Sequence, residues 1–227
     1  MKIETWDRYH CYGMFVISVV YFFFPSVYPL LGYGLISFGI LWIDNWKEIK
    51  HLSPPGGIAN RVTLLRLVML ILVIAFASRL SNLTTAIMLA MVISLDGADG
   101  YLARKKNQQT AFGALFDMET DAFFACMVAC LLVESGLAPW WIIIAGGMRY
   151  YYYVLTDLTG LSAIPEKRTR FGATIAVVLF ISLILAFLLP EKLRILVLFI
   201  ATVLLTGSFV YSFLRAIKIK LNKKIID

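Results

Sequence analysis

The chain has 227 residues, 60% hydrophobic and 15% charged, with a mean hydropathy of +0.82. Soluble domains average about 45–50% apolar and about 25% charged residues, so this composition excludes disorder, a disulfide scaffold and an ordinary cytosolic enzyme. The net charge of +7 fits basic loops against anionic headgroups, and no nucleic acid partner is expected.

The first apolar stretch, Gly13 to Ile43, is too long for one plain span. Pro25 and Pro29 interrupt it, which predicts two helices at about 12–24 and 29–44, a tilted or re-entrant hairpin. No small-residue cleavage site follows the charged start, so a cleavable signal is not expected. A polar stretch from Asp44 to Asn60, containing Pro54-Pro55-Gly56-Gly57, marks a boundary between an accessory segment, 1–50, and a core, 51–227. Six apolar runs follow, at about 61–78, 83–103, 111–134, 138–158, 171–189 and 193–217. A span needs about 20 apolar residues. The expected architecture is therefore an all-α integral membrane protein, a six-transmembrane-helix core with an N-terminal helical hairpin. Cys11, Cys126 and Cys130 lie within apolar runs and read as packing residues.

The basic residues set an orientation. With the N-terminus inside and every run crossing, cytoplasmic segments hold Lys47, Lys50, Arg61, Arg104, Lys105, Lys106, Lys167, Arg168, Arg170 and the tail lysines. The other side holds only Arg79, Lys192 and Arg194. This asymmetry predicts a multi-pass protein of the cell membrane (inner or plasma), with both termini inside and the site facing the cytoplasm.

The acids are clustered. Asp96, Asp99, Asp117, Glu119 and Asp121 fall within 26 residues. Asp96 and Asp99 are i, i+3 near the cytoplasmic end of one span, and Asp117 and Asp121 are i, i+4 near the start of the next. Each pair lines one helix face, and the short intervening loop predicts antiparallel neighbours on which four carboxylates converge. Unpaired carboxylates at membrane depth cost several kcal/mol each. Arg104 can pair with one or two of them, whereas two hard divalent cations neutralise all four and form a site suited to phosphoryl chemistry. Glu119 is two residues from each aspartate and is expected to face away. Gly100 and Gly113 allow a ligand or a neighbouring backbone to approach.

The string Asp96-Gly-Ala-Asp99-Gly100-Tyr-Leu-Ala103-Arg104, eight residues, Gly113, three residues, Asp117, three residues, Asp121 resembles the signature of the CDP-alcohol phosphatidyltransferases, D-x-x-D-G-x-x-A-R, x8, G-x-x-x-D-x-x-x-D, at every fixed position. The resemblance covers about 55–217 and not the N-terminal pair. It implies transfer of a phosphatidyl group from CDP-diacylglycerol to a hydroxyl of a small polar acceptor, with release of CMP. It also implies two Mg²⁺ or Mn²⁺ ions on Asp96, Asp99, Asp117 and Asp121, with Asp121 as general base. Gly100, Ala103, Arg104 and Gly113 would frame the CDP, and a homodimer is implied. Upstream, Asn60-Arg61-Val62-Thr63-Leu64-Leu65-Arg66 resembles the family's P-N-x-x-T-x-x-R segment, with Ala59 in place of the proline. Asn60, Thr63 and Arg66 share a helix face and either contact nucleotide or, through Asn60, cap the helix.

The acceptor side is read from cations. Arg149, inside a span, needs an anion: an acceptor phosphate, Asp157 or the acidic cluster. Lys167, Arg168 and Arg170 either grip a phosphorylated acceptor such as glycerol 3-phosphate or inositol phosphate, or anchor the loop on anionic lipid. Asp117-Met-Glu-Thr-Asp121 departs from the Asp-Pro-Leu-Ala-Asp form common in phosphatidylglycerophosphate synthases. His10 and His51 are expected outside the apolar core, neither ligand nor base, and Tyr150 to Tyr153 read mostly as packing. Two rivals remain at this point: headgroup transfer from a soluble CDP-alcohol to diacylglycerol, and a divalent-cation transporter built on intramembrane carboxylates.

Overall fold

The computed structural model describes residues 3–95, 110–162 and 170–226, and every regular element among them is helical. In chain order these are α1 (Ile3–Tyr21), α2 (Val27–Ile49), α3 (Ile58–Phe76) with a 3₁₀ turn at Ala77–Arg79, α4 (Asn82–Ser94), α5 (Ala111–Glu134), α6 (Ile142–Gly146), α7 (Met148–Leu158), α8 (Arg170–Leu185) and α9 (Glu191–Ile226).

The bundle is organised around α5. Every residue of that helix from Phe123 to Leu132 is buried, the signature of a helix surrounded by others. It packs against α2, α3, α6 and α8. Aromatic side chains form the seam with α2: Phe38 meets Phe123 at 5.5 Å between ring centroids, and Trp42 meets Phe112 at 5.5 Å and Phe116 at 5.7 Å. The Thr110 hydroxyl fixes the start of α5 by accepting from the Gly113 amide at 3.0 Å, an N-cap that satisfies one of the free first-turn donors. Gly136 ends the helix with φ +66°, a backbone conformation that favours glycine.

The N-terminal pair differs from the expected boundaries. α1 starts at Ile3, well before the apolar run, so Glu4, Asp7, Arg8 and His10 are helical. α2 starts at Val27, which places Pro29 in the first turn, where no amide partner is lost. It continues through Asp44 to Ile49, so the polar stretch opens inside a helix. α1 lies along both α2 and α7. His10 is fully buried, contrary to the sequence expectation. The early start turns it onto α2, where its Nδ1 lies 2.8 Å from Ser37 Oγ. His51 follows α2 and is exposed.

The run expected at 138–158 is broken into α6 and α7 at Gly146–Gly147. A Cβ at position 146 would lie 2.5 Å from the Ala129 Cβ and 2.8 Å from the Ala125 carbonyl oxygen, and one at 147 would lie 2.8 Å from the Tyr151 ring. Gly146 thus lets this segment sit directly on α5, and Gly147 leaves room for the Tyr151 ring. Three helices are long and apolar enough to cross a membrane, Val27–Ile49, Ile58–Arg79 and Glu191–Asn222, and α4 and α8 are shorter apolar helices. Only 17% of the apolar window in α9 is buried, so most of that surface is left for lipid.

Candidate active site

The acidic turn of α5 presents its two faces to different neighbours. On one face, Asp117 and Asp121 stand one turn apart, with side chains 40% and 28% exposed. Arg66 reaches them from α3: Nη1 donates to Asp117 Oδ1 at 2.9 Å and Nη2 to Asp121 Oδ1 at 2.6 Å. The guanidinium is buried, and its planar fork spans two carboxylates set apart by the helical repeat.

Asn60, Thr63 and Arg66 are all buried on the α3 face turned toward α5. Asn60 does not cap α3. Gly57, with φ +80°, precedes the helix, and Asn60 sits in its first turn with Nδ2 donating to the Gly56 carbonyl at 2.8 Å. Its other amide atom explains Gly113, since a Cβ there would lie 2.5 Å from Asn60 Oδ1. The close approach of α3 to α5 brings Arg66 within reach of the aspartates. The structure therefore gathers Asp117, Asp121, Arg66, Asn60, Thr63 and Gly113. Asp96, Asp99, Gly100, Ala103 and Arg104 lie outside the described residues, as do Lys167 and Arg168. Arg170 is the first residue of α8.

On the opposite face Glu119 is fully buried. Its Oε1 accepts from Arg149 Nε at 2.9 Å and from Nη2 at 2.7 Å. Asp7 Oδ1 lies 3.7 Å from the same Nη2, and His10 Nε2 lies 3.9 Å from Glu119 Oε2. Of the partners weighed for Arg149, the acidic cluster holds it, because Asp157 is taken by Arg8 at 3.1 Å and by the Tyr12 hydroxyl at 2.9 Å. Ligand atoms of Asp7, Cys11 and Glu119 fall within 4.8 Å of one another. Arg149 already supplies the cation there, and we assign no metal to that group.

Two cavities meet at Arg149. One, of ≈ 340 Å³, is lined by Asp117, Asp121, Arg149 and apolar residues of α8 and α9, including Leu179, Phe180 and Phe209. The other, of ≈ 760 Å³, lies between α7, α8 and α9 and carries Asp7, Arg149, Tyr153, Ser162, Tyr211 and Arg215. Arg149, Ser208 and Ser212 line both, so the cavities share a wall.

A family model for CDP-alcohol phosphatidyltransferase matches residues 57–211. The chain belongs to this family. No curated protein and no solved structure matches it. As a CDP-alcohol phosphatidyltransferase the protein is an enzyme, a transferase of substituted phosphate groups that uses a CDP-linked alcohol in phospholipid synthesis, and the transporter reading falls. Membership and the apolar helices make it a membrane protein.

Members of the family generally depend on divalent metal. The donors fit such an ion: Asp117 and Asp121 offer hard oxygen ligands beside a cavity, and a guanidinium lies between them, so this position is built for positive charge. Two residues at the cavities were missed from sequence. Arg215 sits just before the lysine-rich end of α9 and reads as part of that positive tail. Asp7 precedes the first apolar run and reads as a solvated acid. Neither carries a spacing signal.

Proposed function

We propose that the protein transfers a phosphatidyl group from CDP-diacylglycerol to a hydroxyl of a small polar acceptor and releases CMP. The observation that carries this reading is the placement of Asp117 and Asp121 side by side on a cavity wall, within a chain of this family. The acceptor oxygen attacks the phosphorus bearing the diacylglycerol. The new P–O bond forms as the bond to the CMP oxygen breaks, and CMP leaves with the electron pair. Asp121 takes the hydroxyl proton, since a partly exposed carboxylate at a cavity is placed for that transfer.

Asp96, Asp99, Asp117 and Asp121 are the residues that would hold two Mg²⁺ or Mn²⁺ ions, which supply charge stabilisation for the pyrophosphate and the leaving group. Arg66 presents two donors to the same carboxylates and is placed to turn them onto phosphate oxygens. Gly100, Ala103, Arg104 and Gly113, with Asn60 and Thr63, frame the nucleotide. The apolar residues of α8 and α9 along the smaller cavity suit the acyl chains. The larger cavity suits the acceptor, with Arg149 on the shared wall and Arg215 on its lining, and Lys167, Arg168 and Arg170 are the further cations assigned to it. The positive-inside distribution supports a multi-pass arrangement in the cell membrane, with these cavities facing the cytoplasm. A homodimer completes the proposal.

The test is mass spectrometry of the lipids made by purified protein offered CDP-diacylglycerol with a panel of polar alcohols, in parallel with CDP-choline and diacylglycerol. A new phospholipid with stoichiometric CMP in the first arm is the expected result. Product in the second arm alone would reverse the donor assignment.

A further inference from the structure

The N-terminal helix lies outside the residues matched to the family, yet one of its side chains lines the larger cavity. Asp7 is held there by contacts independent of that cavity. Trp6 Nε1 donates to the Ser37 carbonyl at 2.8 Å, His10 bonds Ser37 Oγ, and the Trp6 and His10 rings stack at 4.6 Å. These contacts fix the turn of α1 that carries Asp7, whose carboxylate then stands 3.7 Å from Arg149 Nη2 with its side chain 16% exposed. Arg149 is also bonded twice to Glu119. Burial and the neighbouring Glu119 raise the Asp7 carboxyl to about 7, so above that pH one cation faces two carboxylates and Arg149 presents no net positive charge to the cavity it lines. Arg215 is the cation on that lining with no ion pair among the described residues.

We propose that Asp7 is a specificity-determining residue, which offsets Arg149 at the wall of the larger cavity and biases it toward neutral or singly charged hydroxyl compounds over dianionic phosphate esters. This rests on the reading of that cavity as the acceptor site. A carboxylate at this distance repels an incoming dianion and holds the guanidinium that would otherwise turn to meet it. The two effects act in the same direction. Asp7 is a positioning and charge-setting group and takes no part in bond making.

The experiment uses the purified full chain in detergent at about pH 8.5, where Asp7 is ionised, with metal chelated and nucleotide absent, and follows inorganic phosphate binding by thermal shift. Asp7→Asn should bind phosphate about fivefold more tightly than wild type. Asp7→Ser makes the same charge change with a smaller side chain and should show the same gain. In an Arg149→Ala background the gain should shrink, because only the direct repulsion by Asp7 is left for the substitution to remove. Tyr12→Phe breaks another α1–α7 contact without touching Arg149 and should bind as wild type does. Phosphate affinity that is unchanged, weaker or undetectable in both Asp7 variants overturns the proposal. So does a gain that is undiminished in Arg149→Ala or appears equally in Tyr12→Phe. The acceptor-site reading fails separately if Arg149→Ala and Arg215→Ala both leave the wild-type affinity intact.

Discussion

Asp117 and Asp121 face α3 and a cavity, while Glu119, midway between them in sequence, faces α1 and α7 in a sealed interior. Each face has an arginine. Arg66 spans the two partly exposed aspartates, and Arg149 spends two donors on one oxygen of the buried glutamate. The same two chemical groups therefore serve different ends, and burial decides which. Water and ligands can reach the aspartate face, so its ion pairs are exchangeable. Glu119 itself is sealed from solvent, though Arg149 beside it reaches the cavities, and removing the arginine would strand a buried charge.

The largest expected effects lie on the aspartate face. Asp121→Asn should lower CMP release by at least about 10³-fold while the protein elutes and melts as wild type does, because proton transfer and ligand charge are lost together. Near-wild-type turnover in that variant would end the base assignment. Chelation should abolish turnover, and added Mg²⁺ or Mn²⁺ should restore it. Because Arg66 remains between the carboxylates, the chelated wild type should stay folded. Chelated Arg66→Gln should melt earlier and be rescued by Mg²⁺.

Glu119→Ala should give the converse pattern. Breaking a buried pair costs about 3–5 kcal/mol, so the thermal midpoint should fall and less folded protein should be recovered. Each folded molecule should keep its dependence on divalent ion. Loss of that dependence without loss of stability would show that the two faces are not distinct.

Much of this contrast was legible in the sequence. The i, i+4 spacing of Asp117 and Asp121 puts them on one face and Glu119 on another, and helical geometry alone says so. The core runs likewise fall where α3 to α9 lie, because apolar composition over about 20 residues is a strong signal. The break at Gly146–Gly147 was not legible, since glycine also occurs within unbroken membrane helices and the cause here is the approach of Ala125 and Ala129 from α5. The burial of His10 and the role of Asp7 were hidden for a related reason. Both lie before the apolar run, and only the packing of α1 on α2 and α7 turns them inward. The fork of Arg66 onto Asp117 and Asp121 joins residues 51 and 55 positions apart, a separation that no local pattern encodes.

The smallest expected effect concerns how the aspartate face is held against α3. Gly113 lies one turn before Asp117, and a methyl group there would sit 2.5 Å from Asn60 Oδ1 and 3.1 Å from Thr110 Oγ1. Asn60 is anchored by its bond to the Gly56 carbonyl, so it has little room to yield, and α3 must shift away from α5. In Gly113→Ala, overpacking should cost about 1–3 kcal/mol, partly offset by the better helix propensity of alanine, about 1 kcal/mol. The net change in midpoint should therefore be small. The shift is transmitted to Arg66 and the nucleotide side, where displacements of a fraction of an ångström matter more than they do for stability. Turnover at saturating acceptor should fall about tenfold, with the KM for CDP-diacylglycerol raised. Asn60→Ala in the same background should relieve the clash, and recovery of stability without recovery of turnover would show that Asn60 contributes to the nucleotide side as well as to packing.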